Sequence, residues 1–478
     1  MDQIPTEILC AIFSLSVSQS AANSRIVTKA DISEGRTWPC ILDLDKGPWS
    51  LSKVCRKWRT ISSSFPELWS RFILSEDDLG TRSGRDSTAA LKKWLSLTGT
   101  SKLSFLIQTD GVCNLQHNDS ELFPLLVEQA ERWERIEIIN NSYAFWSSIN
   151  QHDIGSRLKS LTSVTFLSEG SSQSYIDDGF QSPFVAAYYD IFQRSPNFHS
   201  IINRDYFSLA DLSMPWSQLT HYEGSLRVGF DDHFTILRRT PNLETCILGI
   251  EYCSISLTKP SPIVLKRLKS LKIVLSTDDE EFDEFSFAIR CLVVPSLTEL
   301  SIQNTNPSTS ASYDPFIAML RSVSPGNLSK LELAGNAAEP RNVIGLLEAS
   351  SDVKHLSLGL AANRASVLLE TAITSLSPTD EAGGEDGRAL LPLLSSLEIR
   401  IPQTSSVREV DFSKLALAVR SRWEFCSGGI QSLWISLGDR EVEESFRYHD
   451  YDVGVLPPIL EVLKEEGLII VVREACHY

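Results

Sequence analysis

Several kinds of residue and motif are missing from this chain of 478 residues, and each absence removes a class of function. No apolar run reaches the ~18 residues a membrane-spanning helix needs, so no membrane segment is expected. The early residues show no basic stretch leading into an apolar one, so no secretory leader is expected. Basic charge is in deficit: 44 Lys and Arg face 61 Asp and Glu, a net charge of −17, which argues against nucleic acid or an anionic membrane as partner. The eight histidines are isolated from one another, and no C-x-x-C pair has zinc spacing. The chain also lacks a G-x-x-x-x-G-K-[ST] phosphate loop and a G-x-S-x-G elbow. No catalytic residue, cofactor or metal is therefore assigned, and a non-enzymatic protein is expected. The nine cysteines are odd in number and scattered, several at apolar positions where a thiol acts as a small hydrophobe. Reduced thiols in the cytoplasm or nucleus are the expectation.

What is present is a core-forming composition, 42% hydrophobic and 22% charged, arranged in two distinct ways. At the start, Ile4, Ile8, Leu9, Ile12, Phe13 and Leu15 follow helical spacing around Pro5, a residue suited to a first turn. Residues 19–48 interrupt the pattern. In LSKVCRKWRTIS, Leu51, Val54, Cys55, Trp58 and Ile61 then step by three and four to define one apolar helical face. Lys53, Arg56, Lys57 and Arg59 cover the rest of that surface. PELWSRF adds a short element that begins at Pro66 and supplies Leu68 and Trp69.

Taken in order, IPTEILCAIF, LSKVCRKWRTIS and FPELWSRF resemble the F-box of fungal F-box proteins, over residues 3–74. The departures are Ile4, where the family usually has Leu, and the insertion at 19–48. The resemblance implies a three-helix module at 1–75 that docks on a Skp-type adaptor and through it on a cullin–RING (SCF-type) ubiquitin ligase. It places Ile4, Pro5, Glu7, Ile8, Leu9 and Ile12 at the adaptor interface. Phe13, Leu51, Val54, Trp58, Ile61, Leu68 and Trp69 form the module's core in the same reading. A unit of this size has a thin core and gains from a partner that covers its apolar edge.

Downstream, apolar-x-x-apolar-x-apolar recurs. It begins at Leu243, Leu268, Leu297, Leu328, Val353, Leu394 and Ile430, with weaker copies at Trp133, Leu161, Phe198 and Leu219. Each copy follows a helix-like stretch, so the unit reads as helix, turn and short strand. Such a unit cannot bury both elements alone, whereas stacked copies form a parallel sheet on one side and a helical layer on the other. The segments resemble irregular leucine-rich repeats that follow a fungal F-box. The expected fold is therefore α/β: an F-box-like module, then a leucine-rich-repeat solenoid with its parallel sheet on the concave side and helices outside. Residues 76–140 are expected as atypical first repeats forming an N-terminal cap, and 141–478 as the array, with acidic loops at 278–284 and 377–389. Leu456–Glu466 is expected as a closing helix stopped by Gly467, followed by a strand at Leu468–Val472.

The residues between the apolar positions of each strand project away from the core. Lys272, Glu332, His355, Glu398, Arg400 and Trp434 are the candidate target-binding side chains. Residues 1–75 carry nine basic and seven acidic side chains, or +2, leaving 35 − 54 = −19 on the remainder, which favours a target with a basic surface. The expected function is that of a substrate-recruiting subunit of a ubiquitin ligase. Two alternatives stand beside it: an interaction scaffold outside ubiquitin transfer, and an enzyme whose site is assembled from distant residues.

Overall fold

The computed structural model describes residues 4–21, 38–75, 84–108, 122–139, 149, 152, 154–167, 189–205, 208–210, 212–226, 228–250, 261–276, 286–304, 313–335, 340–360, 371, 376, 390–401, 412–425, 430–437 and 458–474. Both expected acidic loops and most of the insertion at 19–48 lie outside these residues. The chain divides into two compact units, Met1–His221 and Tyr222–Tyr478. The boundaries read from sequence at 75 and 140 both fall inside the first. Each unit is α/β with parallel strands ordered as in the chain. Among the described residues no helix is long and apolar enough to cross a membrane.

The first unit opens with helices α1 (Thr6–Ala21), α2 (Gly47–Val54) and α3 (Arg56–Ser63), then a single turn at Pro66–Leu68. The run 51–61 is not one helix. Cys55 is extended at φ −159° and ψ 172°, and it caps α3 by accepting the Trp58 N–H on Sγ. The break takes Val54, expected in the core, to the surface at 56% exposure, while Leu51 and Ile61 stay buried. Trp58 is half-buried, its ring 4.8 Å from that of Phe13.

Strand β1 (Arg71–Ser75) follows, so the sheet starts within the stretch that sequence assigned to the helical module. Next come α4 (Gly84–Leu97), β2 (Leu103–Gln108), α5 (Leu122–Glu128), β3 (Trp133–Ile139), β4 (Ser163–Leu167) and β5 (Ser200–Arg204). Trp49, Trp69 and Trp94 meet edge to face, with centroids 4.8–5.7 Å apart, and tie α2 and the 66–68 turn to α4. The indole of Trp94 donates to the Trp69 carbonyl at 2.6 Å. Phe72, Phe105 and Trp133 carry the contact on through β1, β2 and β3.

The insertion has a described end. Residues 38–42 are buried, and the segment bonds to the outer edge of β1: Ile73 N–H donates to Pro39 C=O at 2.9 Å, and Ile41 N–H to Ile73 C=O at 3.3 Å. Trp38 lies in a cluster with Ile73, Leu106, Ile139 and Leu167, on the face opposite Phe72 and Phe105. An open strand edge invites pairing with other chains, and here the chain covers it itself.

The second unit runs β6 (His221–Gly224), α6 (Phe230–Arg239), β7 (Thr245–Ile250), β8 (Ile263–Val264), β9 (Ser270–Leu275), β10 (Leu292–Val293), β11 (Glu299–Asn304), α7 (Asp314–Leu320), β12 (Lys330–Gly335), α8 (Pro340–Glu348), β13 (His355–Leu360), β14 (Ser396–Ile401), α9 (Phe412–Phe425), β15 (Ser432–Leu437), α10 (Pro458–Glu465) and β16 (Ile469–Glu474). Strands β8 and β10 pair apart from the main sheet. The apolar motif positions stack in register: Leu271, Leu300, Leu331, Leu356, Leu397, Leu433 and Ile470 form one row, and Ile273, Ile302, Leu333, Leu358, Ile399, Ile435 and Val472 the next. At about 1.5–3 kcal/mol for each fully buried aliphatic side chain, these rows and the helical residues behind them dominate the stabilisation. Helix α10 ends as expected: Gly467 takes φ +110°, its N–H donates to Lys464 C=O, and Leu468 N–H donates to Leu463 C=O, a Schellman closure.

One contact repeats from copy to copy. The carbonyl of the residue after the first apolar motif position accepts two consecutive N–H groups of the next repeat. Lys269 C=O takes Thr298 and Glu299, Thr298 C=O takes Ser329 and Lys330, Ser329 C=O takes Lys354 and His355, and Lys354 C=O takes Ser395 and Ser396. Where that residue is Thr162, Thr220, Thr298, Ser329 or Ser395, its hydroxyl donates to the same carbonyl of the preceding copy. Among the described strands of the main sheet the longest gap runs from β13 to β14, and Arg422 reaches into it. Its buried guanidinium donates to the carbonyls of Leu376, Leu390 and Leu391, the last at φ +51°.

Replacing Trp94 with Ala should cost about 3–5 kcal/mol of the first unit's stability, since it removes a buried ring at the centre of the tryptophan cluster. Urea denaturation followed by tryptophan fluorescence would measure it. Trp94→Phe should recover part of the loss but not the bond to Trp69.

Candidate functional site

Helix α1 is apolar on two sides. Leu9, Phe13 and Val17, four residues apart, point inward and are buried. Ile8, Ile12 and Leu15 form a second stripe on the outside, exposed by 52%, 41% and 65%, and Ile4, just before the helix, is exposed by 37%. The sequence reading grouped Leu9 with the interface residues. The structure places it in the module's interior, because it sits about 100° around the helix from Ile8. Pro5 and Glu7 are exposed beside the stripe. Exposed Val54 lies at the end of α2, which packs on α1. A helix apolar on opposite sides has a buried face and a face suited to a partner. Nearby basic residues are partly engaged: Lys53 reaches Asp45 at 2.7 Å, and Arg59 Nε donates to Ser52 C=O.

The candidate target-binding residues share one face of the second unit's sheet. Register puts Lys272, Ser301, Glu332, Ser357, Glu398 and Trp434 in a single row, with His355 in the row before and Arg400 in the row after. Arg400 draws three of these together. Nη2 lies 2.9 Å from Glu332 Oε1 and 2.7 Å from Ser357 Oγ, and Nε lies 3.6 Å from Glu398 Oε2. Ser357 Oγ donates onward to Glu398 at 2.8 Å, and Gln303 Nε2 donates to Glu332 at 3.0 Å. Partial burial by itself would raise the Glu332 pKa. Hydrogen bonding and charge from Arg400, with help from Gln303 and Lys272, outweigh it and hold the carboxyl below its ordinary value. Trp434 is half-buried beside Glu398, and His355 is exposed away from the cluster. Gln303 was not singled out in the sequence, although its position two residues beyond Ser301 on the same strand face was a readable signal. The face carries both signs of charge, a surface for polar recognition.

Elsewhere the buried titratable groups serve the fold. His233 of α6 receives the Tyr222 hydroxyl at Nδ1 (2.7 Å) and turns Nε2 towards the carbonyls of Gly249 and Ser225, at 3.1 and 3.3 Å. Two facing carbonyls require the proton on Nε2, which leaves Nδ1 of the neutral ring to accept from Tyr222. Gly224 makes room for it, since a Cβ there would stand 2.3 Å from the ring. Burial drives the His233 pKa down to about 4, despite the two carbonyls that favour the proton. In the first unit, burial raises Asp205 to about 7. Among the described residues no three His, Cys, Asp or Glu side chains are placed to hold a metal ion. The sequence Tyr448-His449-Asp450-Tyr451-Asp452, which sets two carboxylates beside an imidazole, lies outside the described residues. Comparison with protein-family models finds no match for this chain, and comparison with curated proteins finds none either.

Two outcomes follow. Because the folded His233 pKa lies below the unfolded value near 6.5, the unfolded chain binds more protons between about pH 6.5 and 4, so stability falls as pH drops through that window. The loss should reach at most ~3 kcal/mol. Asp205 acts with the opposite sign, losing stability as pH rises from about 4 towards 7. Urea midpoints between pH 7 and 4 should show a shallower acid loss for His233→Gln than for the unaltered chain. Separately, Arg400→Ala leaves Glu332 half-buried without its cation and should cost about 1–2 kcal/mol, discounted for solvent access. A double-mutant cycle with Glu332→Gln would isolate the pair.

Proposed function

We propose that this chain is a substrate-recruiting subunit of a cullin–RING ubiquitin ligase, docking on a Skp-type adaptor through its first helices and holding a protein target on the strand face of its repeats. The observation that carries the reading is the outer stripe of α1. Ile8, Ile12 and Leu15 on one side of the helix are exposed while Leu9 and Phe13 on the other are buried. They lie in the segment whose residues resemble an F-box, next to the Ile4 and Pro5 that the resemblance puts at the adaptor. A partner that covered the stripe would remove from water an apolar surface that α1 leaves uncovered.

In this reading the chain supplies no reacting group. It raises the concentration of a target near a ubiquitin-loaded enzyme, so its contribution to rate is proximity. Recruitment needs two surfaces that bind independently, and the α1 stripe and the Arg400 face lie in different units. The second unit carries 24 basic and 36 acidic residues, which favours a basic target surface.

A pull-down of the purified chain with a Skp-type adaptor tests the docking step. The unaltered chain should bind. An Ile8→Glu/Ile12→Glu double variant, changed only on the outer stripe, should lose at least about tenfold in affinity while keeping its thermal midpoint. No binding by the unaltered chain would sink the ligase reading and leave the scaffold role as the better account.

A further inference from the structure

We propose that the outer edge of β16 is a self-association surface, on which two copies of the chain pair antiparallel about a two-fold axis at Val471. The inference is independent of the adaptor reading. It starts from the strand order, in which β16 stands at the end and, among the described residues, hydrogen-bonds only to β15. The Ile469 N–H donates inward to Gln431 C=O at 3.0 Å. Backbone groups alternate along a strand, so those of Ile470 and Val472 face away from β15. The first unit shows how this chain treats such an edge elsewhere: Pro39 and Ile41 bond to Ile73 on the open side of β1.

The side chains of β16 differ from those of the strands before it. At the position of Ile469, β9 and β11 to β15 carry Ser270, Glu299, Lys330, His355, Ser396 and Ser432. At the position of Val471 they carry Lys272, Ser301, Glu332, Ser357, Glu398 and Trp434. The face is thus polar until β15, and at β16 it becomes Ile469, exposed by 57%, with Val471 half-buried beside Trp434. Natural edges are usually blunted by charge, a proline or a bulge; Ile469–Val472 has no charge or proline and pairs with β15 in unbroken register, the charges of β16 falling at its end, Arg473 and Glu474.

A second copy fits this edge better than an unrelated strand because the segment is complementary to itself. With the axis at Val471, Val471 stands opposite Val471, Ile470 opposite Val472, and Ile469 opposite Arg473 of the second copy. Ile470 and Val472 then exchange backbone hydrogen bonds in both directions, and no like charges face each other. Moving the axis to Arg473 would set two arginines opposite one another. Each copy carries a net charge of −17, a repulsion that salt screens over about 8 Å at physiological ionic strength. Pairing should therefore tighten as salt is raised.

Sedimentation equilibrium of the full chain tests this, over a concentration series extended to the solubility limit and at low and high salt. The expected result is a mass rising towards twice that of the chain, more readily at high salt. Val471→Lys and Ile469→Lys, both on the exposed side of the strand, should each weaken association at least ~10-fold without lowering the thermal midpoint. Ile8→Glu on α1 should leave it intact. A chain that stays monomeric to the solubility limit would overturn the proposal, as would lysine variants that associate like the unaltered chain. Loss of association in Ile8→Glu alone would overturn it too, assigning the contact to α1.

Discussion

A parallel strand cannot satisfy its own backbone, and that constraint governs the architecture of each unit. Every strand must find its hydrogen-bond partners one repeat away, so the copies have to stack in order and in register. The point where register is set is the carbonyl just before each strand, which accepts two N–H groups from the following copy. Threonine and serine at that position add a third donor to the same oxygen. Once the backbone is fixed there, the aliphatic rows fall into line behind it, because alternate side chains can only point to alternate faces.

The same constraint produces the polar face. Residues that cannot point into the helical layer are lined up by the ladder that aligns the leucines, and distant parts of the chain become neighbours across it. Glu332, Ser357, Glu398 and Arg400 meet in this way, from three different repeats. Their mutual neutralisation gives a face that is charged yet internally balanced, which suits selective contact more than indiscriminate attraction. At the opposite end of the sequence, the tryptophan cluster fuses the helical module to the first strands. The module is therefore built into its unit, and the exposed stripe on α1 is held by the core that Leu9 and Phe13 share with α2 and α3.

The repeats were legible because their signal is local: six residues of alternating polarity after a helical run specify both elements and the stacking they require. Gly467 was equally readable, as a glycine closing an amphipathic helix. What escaped the sequence depends on geometry that residue type does not encode. The break at Cys55 interrupts a good helical period, and a thiol is an unusual cap. Leu9 and Ile8 are both aliphatic and adjacent, and only packing tells the buried one from the exposed one. Residues 38–42 look like part of an insertion because their partner, Ile73, is far along the chain and the pairing is only a few residues long. The polar face was found residue by residue, but its network was not, since the register that brings Arg400 to Glu332 comes from strands some seventy positions apart in sequence.

Arg422 shows how such an array tolerates uneven spacing. One buried guanidinium gathers the carbonyls of Leu376, Leu390 and Leu391, so both ends of the intervening stretch are anchored to α9. That makes the stretch a natural port for engineering: a reporter or affinity tag could be grafted between residues 377 and 389 with β13 and β14 still meeting in the same register. Loop closure supports this, since doubling a loop adds only about 0.6 kcal/mol.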